Sequence, residues 1–106
     1  VIVEFFPAAE ADLIRQFRYY LVNCDAPEVA ARFRESVRTS VGMLRLNPRI
    51  GVGFFGSIEG LRSWPVAGFK KIQIYYIGDE TRIRVVRILH GRQNVRRILS
   101  RERHRF

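Results

Sequence analysis

One histidine and a set of cations in the second half of this 106-residue chain have the side-chain types that phosphate chemistry uses. His90 closes an alternating apolar run and is the candidate proton carrier, because an unperturbed imidazole changes charge near neutral pH. Lys70 and Lys71 open the preceding run, and Arg84 and Arg87 lie inside the one that His90 closes. Cleaving a phosphodiester needs a group to move the proton and cations to hold the charged transition state. Glu59 lies in or beside a glycine-rich loop, a poor support for a general base. The same residues also have plain structural readings. His90-Gly91-Arg92 can simply terminate a strand, and Arg87, flanked by core positions, can pair with a buried acid. Gly51-Val52-Gly53-Phe54-Phe55-Gly56 is a literal G-x-G-x-x-G, but a dinucleotide site needs a strand before it and a helix after it. Here a helical pattern precedes and a strand pattern follows, so the motif reads as a loop with two anchoring phenylalanines.

Charge is unevenly distributed. The chain has 19 Lys+Arg against 10 Asp+Glu, a net of +9. The first fifty residues are almost neutral, and nearly all the excess lies from Gly51 onward. Such a balance suits an acidic partner: nucleic acid, an acidic protein or an anionic surface. Lys70 and Lys71 are the only lysines; arginine forks grip phosphate and carboxylate with two parallel bonds. The single cysteine, Cys24, excludes an intrachain disulfide and any cysteine-based metal site, and no metal or cofactor is expected. No apolar stretch approaches the roughly 18 residues that span a bilayer, and Val1–Phe6 lacks a basic leader. A cytoplasmic location without membrane attachment is the expectation.

The patterning predicts one domain over residues 1–106. Val1–Phe6 is a β-branched and aromatic strand. Pro7 opens a helix to about Val22, with Leu13, Phe17 and Leu21 on one face and Glu10 and Asp12 near its positive end. Asp25 and Glu28 have capping-box spacing before a second helix, Ala26 to about Leu46, striped by Val29, Phe33, Val37, Val41 and Leu44. Asn47–Gly60 reads as an irregular loop. Leu61–Val66 is a short strand that Pro65 places at an edge or bulge. Lys70–Ile77 and Arg82–His90 alternate around a Gly78–Thr81 turn, with Ile72, Ile74 and Tyr76 opposite Lys71, Gln73 and Tyr75. In the second strand Ile83, Val85, Arg87 and Leu89 oppose Arg84, Val86, Ile88 and His90. Only one of Tyr75 and Tyr76 is expected in the core. Asn94 caps a short terminal helix with Val95, Ile98 and Leu99 inward, and Arg101–Phe106 reads as a frayed basic tail. The expected architecture is α+β: an N-terminal strand, then an antiparallel helical hairpin on one face of a mostly antiparallel four-stranded sheet, with a short C-terminal helix. The other sheet face, half apolar, is expected to be bare and to dock a partner.

The order and spacing of these segments resemble the RelE/ParE toxin superfamily of bacterial type II toxin–antitoxin systems. The likeness is carried by VEFFPAAEADL at the start, and by Arg62, PVAGF (Pro65–Phe69), the Ile72–Ile77 strand and RVVRILHGRQN (Arg84–Asn94). The PVAGF and LHGRQN stretches look more ParE-like than RelE-like. The resemblance implies the RelE-like fold, a cytoplasmic growth-inhibiting toxin, and hetero-oligomers with a ParD-like or similar antitoxin that wraps it. A ParE-like member implies stoichiometric poisoning of DNA gyrase, with Trp64, Arg84, Arg87, His90, Arg92, Arg96 and Arg97 as candidate target-binding residues. The alternative is a RelE-like, ribosome-dependent endoribonuclease that cuts messenger RNA, with His90, Arg87, Lys70 and Lys71 as candidate catalytic residues. Members of that branch use clustered Lys/Arg with a late tyrosine or a Glu/His pair; no tyrosine follows Tyr76 here.

Overall fold

The computed structural model describes residues 1–103. Elements follow in the order β1 (Ile2–Phe5), α1 (Pro7–Arg18), a π-helical turn (Tyr19–Asn23), α2 (Pro27–Leu46), β2 (Val52–Gly53), β3 (Arg62–Val66), β4 (Phe69–Gly78), β5 (Arg82–His90) and α3 (Val95–Glu102). Among the described residues the sheet order is β1-β5-β4-β3-β2, five strands rather than the four expected. The additional strand is the two-residue β2 within the stretch read as loop, paired antiparallel to β3. β1 lies parallel to β5, and every other pairing is antiparallel.

Both prolines predicted to open helices do so, at the first turns of α1 and α2. The capping box at Asp25 does not form. The π turn closes with Cys24 N–H on the Tyr19 carbonyl, and Asp25 then adopts a left-handed φ of 49°. Ala26 becomes the residue before α2, with no side-chain cap. Asp is one of the few residues that visits this backbone region readily. Tyr20, Phe33 and Phe69 meet here with ring centroids 5.4–5.6 Å apart, joining the π turn to α2 and β4.

The first core lies between α1–α2 and the sheet. Phe33, Val37, Val41 and Leu44 from α2 pack on Ile72, Ile74, Tyr76, Ile83, Val85 and Ile88. Pro65 sits at a register shift between β3 and β4, as its missing N–H requires. A second shift pairs Tyr75 with Arg87 and Tyr76 with Val85, so Val86 is an extra residue on β5. This bulge changes the facing that strict alternation predicts: Ile88 joins the first core, whereas Val86 and Leu89 point to the other face.

That other face is not bare. Ile58, Leu61, Tyr75, Val86, Leu89 and Leu99 form a second core, with Phe54, Val95 and Ile98 packed against it. The apolar stripe of α3 and the 54–61 segment roof the sheet, so the expected docking face is the protein's own interior. Tyr75 and Tyr76 are therefore both core residues, 5% and 0% exposed, on opposite faces of a three-layer fold. Asn94 does cap α3, accepting from the Arg97 N–H. Helix α3 runs through Arg101 and Glu102, so the basic tail begins later than expected, and residues 104–106 lie outside the described residues.

The glycine motif has a packing explanation. The buried Tyr76 hydroxyl accepts from the Gly51 N–H at 2.8 Å, and a Cβ on Gly51 would lie 2.5 Å from that hydroxyl and 2.9 Å from the Ser63 carbonyl. Gly51→Ala is expected to destabilise the fold by about 1–3 kcal/mol, the range for overpacking a filled site. Chemical denaturation would measure it, and an unchanged midpoint would refute the packing explanation.

Candidate functional site

The sequence-predicted site residues separate into three places. Arg87 is internal. Its Nε and Nη2 donate to the two Asp12 carboxylate oxygens at 2.8 and 2.9 Å, and its Nη1 donates to Glu102 at 3.1 Å. The geometry follows from the strand lengths. β1 stops at Phe5, opposite Val85, so the outer edge of β5 beyond that point has no neighbouring strand. Helix α1 runs there instead, and Asp12 accepts the Ile88 N–H at 2.9 Å just past the bulge. Asp12 thus faces inward, 2% exposed, rather than merely complementing the helix dipole. The Asp12 carboxylate is the main reason that the Arg87 pKa is raised further. Arg87 joins α1, β5 and α3, and its guanidinium is not presented to a partner or a phosphate. This is the arrangement of its plain structural reading, in which Arg87 pairs with a buried acid, and it sets Arg87 apart from the other candidate site residues.

His90, Lys71 and Arg92 gather at the far end of the sheet. His90 pairs with Ile72 across β4 and β5, and the Gly91 N–H donates to the Lys71 carbonyl. The Arg92 N–H donates to His90 Nδ1 at 3.0 Å, and the His90 N–H donates to Gln93. With Nδ1 accepting, the neutral ring carries its proton on Nε2. The lone pair that a general base would use is occupied. Burial, then Arg92 and Lys71, hold the His90 pKa below the ordinary imidazole value, so the protonated acid form is disfavoured as well. Because the folded state favours neutral His90, this contribution to stability is complete above the unfolded value of about 6.5 and is lost as pH falls through the folded pKa. Proton-detected titration of His90 should give a midpoint below 6.5, and Lys71→Gln should move it upward. A midpoint at or above 6.5 would contradict this geometry. Lys70 is exposed at the start of β4, and Arg87 is held elsewhere, so the four nuclease candidates do not converge.

The third place is α3 with the 54–61 segment. Arg96 and Arg97 are exposed. Arg96 donates to the Phe55 carbonyl at 2.8 Å and lies over the Phe54 ring, 4.8 Å from its centroid. Arg84 lines a cleft with Ile58, Glu59, Ile77 and Arg103. Trp64 is half-buried on β3 and packs against the first core.

One surface was missed. Leu13, Phe17 and Leu21 share one face, as their spacing predicts, but only Leu13 of the three packs against the first core, and the fully buried positions of α1 are Ala9 and Asp12. The apolar stripe instead floors a groove of about 370 Å³ between α1 and α2, with Ile14, Phe33 and Val37. Arg18 and Arg34 stand at its rim, and Arg34 lies 5.5 Å from the Phe17 ring centroid. Ile14 is 56% exposed and Leu21 39%. The available signal was the excess of apolar residues on α1 over what a sheet-facing stripe needs. Among the described residues, no three His, Cys, Asp or Glu lie together as a metal site, and no helix is long and apolar enough to cross a membrane.

The family model described as "ParE toxin of type II toxin-antitoxin system, parDE" matches residues 3–95. The chain belongs to the ParE toxin family. Among solved structures, it is similar to a chain of the chromosomal ParDE TA system from P. aeruginosa, with a TM-score of 0.69 and 20% identity over 85% of this chain and 95% of that one. At that identity the likeness shows the shared fold. No curated protein matches. The toxin has the ParE-like arrangement: a helical pair on a mostly antiparallel sheet, and a short C-terminal helix. Its groove and the His90 turn lie within the matched residues, whereas Arg96 and Arg97 lie beyond them.

Proposed function

We propose that this toxin inhibits DNA gyrase by stoichiometric binding, and that a ParD-like antitoxin neutralises it through the groove between α1 and α2. The observation that carries the binding mode is the state of His90 and Arg87. One has its basic nitrogen occupied and the other is held by two carboxylates, which favours occupancy of a target over cleavage of RNA. Trp64 is largely packed and Arg87 is internal. The target-binding set therefore narrows to Arg84, His90, Arg92, Arg96 and Arg97, with Arg92, Arg96 and Arg97 the exposed members. The groove supports the antitoxin assignment. Its apolar floor suits the apolar face of an amphipathic helix, and Arg18 and Arg34 favour acidic residues along that helix's edges. The toxin is then cytoplasmic and hetero-oligomeric with its antitoxin. Purified toxin added to gyrase and supercoiled plasmid should trap linear DNA, whereas the same toxin in a translation extract should leave message intact by primer extension. Codon-linked cuts without trapped plasmid would overturn the reading in favour of a RelE-like nuclease.

A further inference from the structure

We infer that the outer face of α3, together with Phe55, is a DNA-binding surface that grips phosphates with arginines and stacks an unpaired base on the phenylalanine. The inference deepens the gyrase reading and rests on it for which DNA the surface meets, namely duplex opened or broken by the target.

Helix α3 is divided sharply by side-chain type. Val95, Ile98 and Leu99 turn into the second core, and the helix's one acid, Glu102, is 6% exposed and bonds inward to Arg87. Arg96, Arg97, Arg101 and Arg103 are exposed. Arg97 and Arg101 are four apart on one face, where like charges destabilise a helix. An anionic occupant would relieve that repulsion and neutralise both cations at once. Arg103 carries the charge on to the cleft that Arg84 lines, where exposed Glu59 is the acid nearby.

Phe55 supplies the second, independent observation. It is 87% exposed, the most exposed large apolar residue among those described. Its backbone is nonetheless fixed. Arg96 bonds its carbonyl, and the preceding Phe54 donates to the Leu61 carbonyl, packs edge-on to Tyr75 at 5.2 Å and lies beneath the Arg96 guanidinium. A rigidly based ring that contributes little to the core, bonded through its own carbonyl to the basic helix, is the arrangement that single-stranded nucleic-acid sites use: a cationic track beside an aromatic platform. An acidic protein surface would also engage the arginines, but a ring standing 87% clear of the fold beside a row of cations matches the base-and-phosphate pattern of a nucleic acid strand, so DNA is the occupant argued for.

The test is fluorescence anisotropy of the full chain with two labelled probes, a blunt 20-base-pair duplex and the same duplex with a four-nucleotide overhang. Binding to both should weaken with salt, with a log–log slope of about −3 to −4 if the four arginines each neutralise a phosphate. The overhang should bind more tightly. Phe55→Ala should weaken the overhang about 5- to 20-fold and leave the blunt duplex unchanged, as loss of one stacked base predicts. The double change Arg97→Glu with Arg101→Glu should weaken both probes and flatten the slope by about two or more. These positions are exposed, so thermal melts should match the parent and separate binding loss from misfolding. Absence of salt-dependent binding, or equal Phe55→Ala effects on both probes, overturns the inference. So does the double variant losing affinity for DNA-free gyrase while binding both probes as the parent does, which would make the face a protein contact alone. If the parent traps linear plasmid but neither variant alters trapping and neither probe binds, this inference falls while the gyrase reading stands. If the probes bind as described but gyrase is unaffected, the gyrase reading falls and the DNA surface stands.

Discussion

Replacing Arg87 with alanine is expected to lower the unfolding free energy by about 3–5 kcal/mol, the range for leaving a buried ion pair without one partner. Asp12 would keep its contact to Arg15, whose side chain is 61% exposed, and its bond from the Ile88 N–H, but would lose both guanidinium bonds. Glu102 would lose its bond to β5, and with it a tie holding α3 over the second core. At roughly 4–8 °C per kcal/mol for a domain of this length, the melting temperature should fall by about 12 °C or more. Differential scanning calorimetry on the parent, Arg87→Ala, Asp12→Asn and the double variant would check it. The two single losses should be strongly non-additive, since each removes the same pair. A loss under about 1 kcal/mol would match an exposed ion pair instead and would restore Arg87 as a candidate for contacting a target.

The second large effect belongs to the groove. Ile14→Asp places a carboxylate on the apolar floor at a position already 56% exposed, so folding should tolerate it. Binding should not. Removing a central apolar contact from an interface costs about 2 kcal/mol or more, and desolvating a carboxylate against an apolar helix adds to that even with Arg18 one turn away, giving an affinity loss of at least about 30-fold. Titration calorimetry with the cognate antitoxin should record the loss while the melting temperature stays within a few degrees of the parent. In cells, the variant should remain toxic in the presence of antitoxin. Unchanged affinity would place the antitoxin elsewhere on the toxin.

The β4–β5 hairpin, the two proline-started helices and the Asn94 cap were readable because each rests on a local rule: alternation, a missing N–H, a side-chain acceptor. What was not readable rests on long-range pairing. The Val86 bulge changes which face Ile88 and Leu89 occupy, and nothing local announces it. Asp12 and Arg87 are 75 residues apart, so the acid that Arg87 might need could be anticipated in kind but not located. The spacing of Val95, Ile98 and Leu99 shows an inward stripe and the loop pattern makes Phe54 an anchor, but neither says which surface they cover. The half-apolar sheet face belongs to other elements, and each apolar surface finds its cover only in the other. The α1 stripe is the opposite case. Leu13, Phe17 and Leu21 share a face by spacing, but only Leu13 reaches the first core beside Ala9 and α2, which leaves the rest of the stripe lining a groove. Gly51 is similar: the motif was legible, and its reason, the Tyr76 hydroxyl, lies 25 residues away. Of the candidate site residues, the sequence placed His90 and Arg92 correctly at a strand end, but it could not show that the Arg92 N–H occupies the imidazole nitrogen.

Occupancy and turnover differ most directly in how inhibition scales with the amount of target. Gyrase held at two concentrations a factor of ten apart, each titrated with toxin on excess supercoiled plasmid well above the binding constant, gives the decisive comparison. The binding account predicts that the toxin needed to trap half the plasmid-bound gyrase as linear complex rises about tenfold with the enzyme, and that the complexes reverse when antitoxin is added. Half-inhibition at the same trace amount of toxin in both reactions, growing with time and not reversed by antitoxin, would mean that the toxin turns over, and would contradict the account.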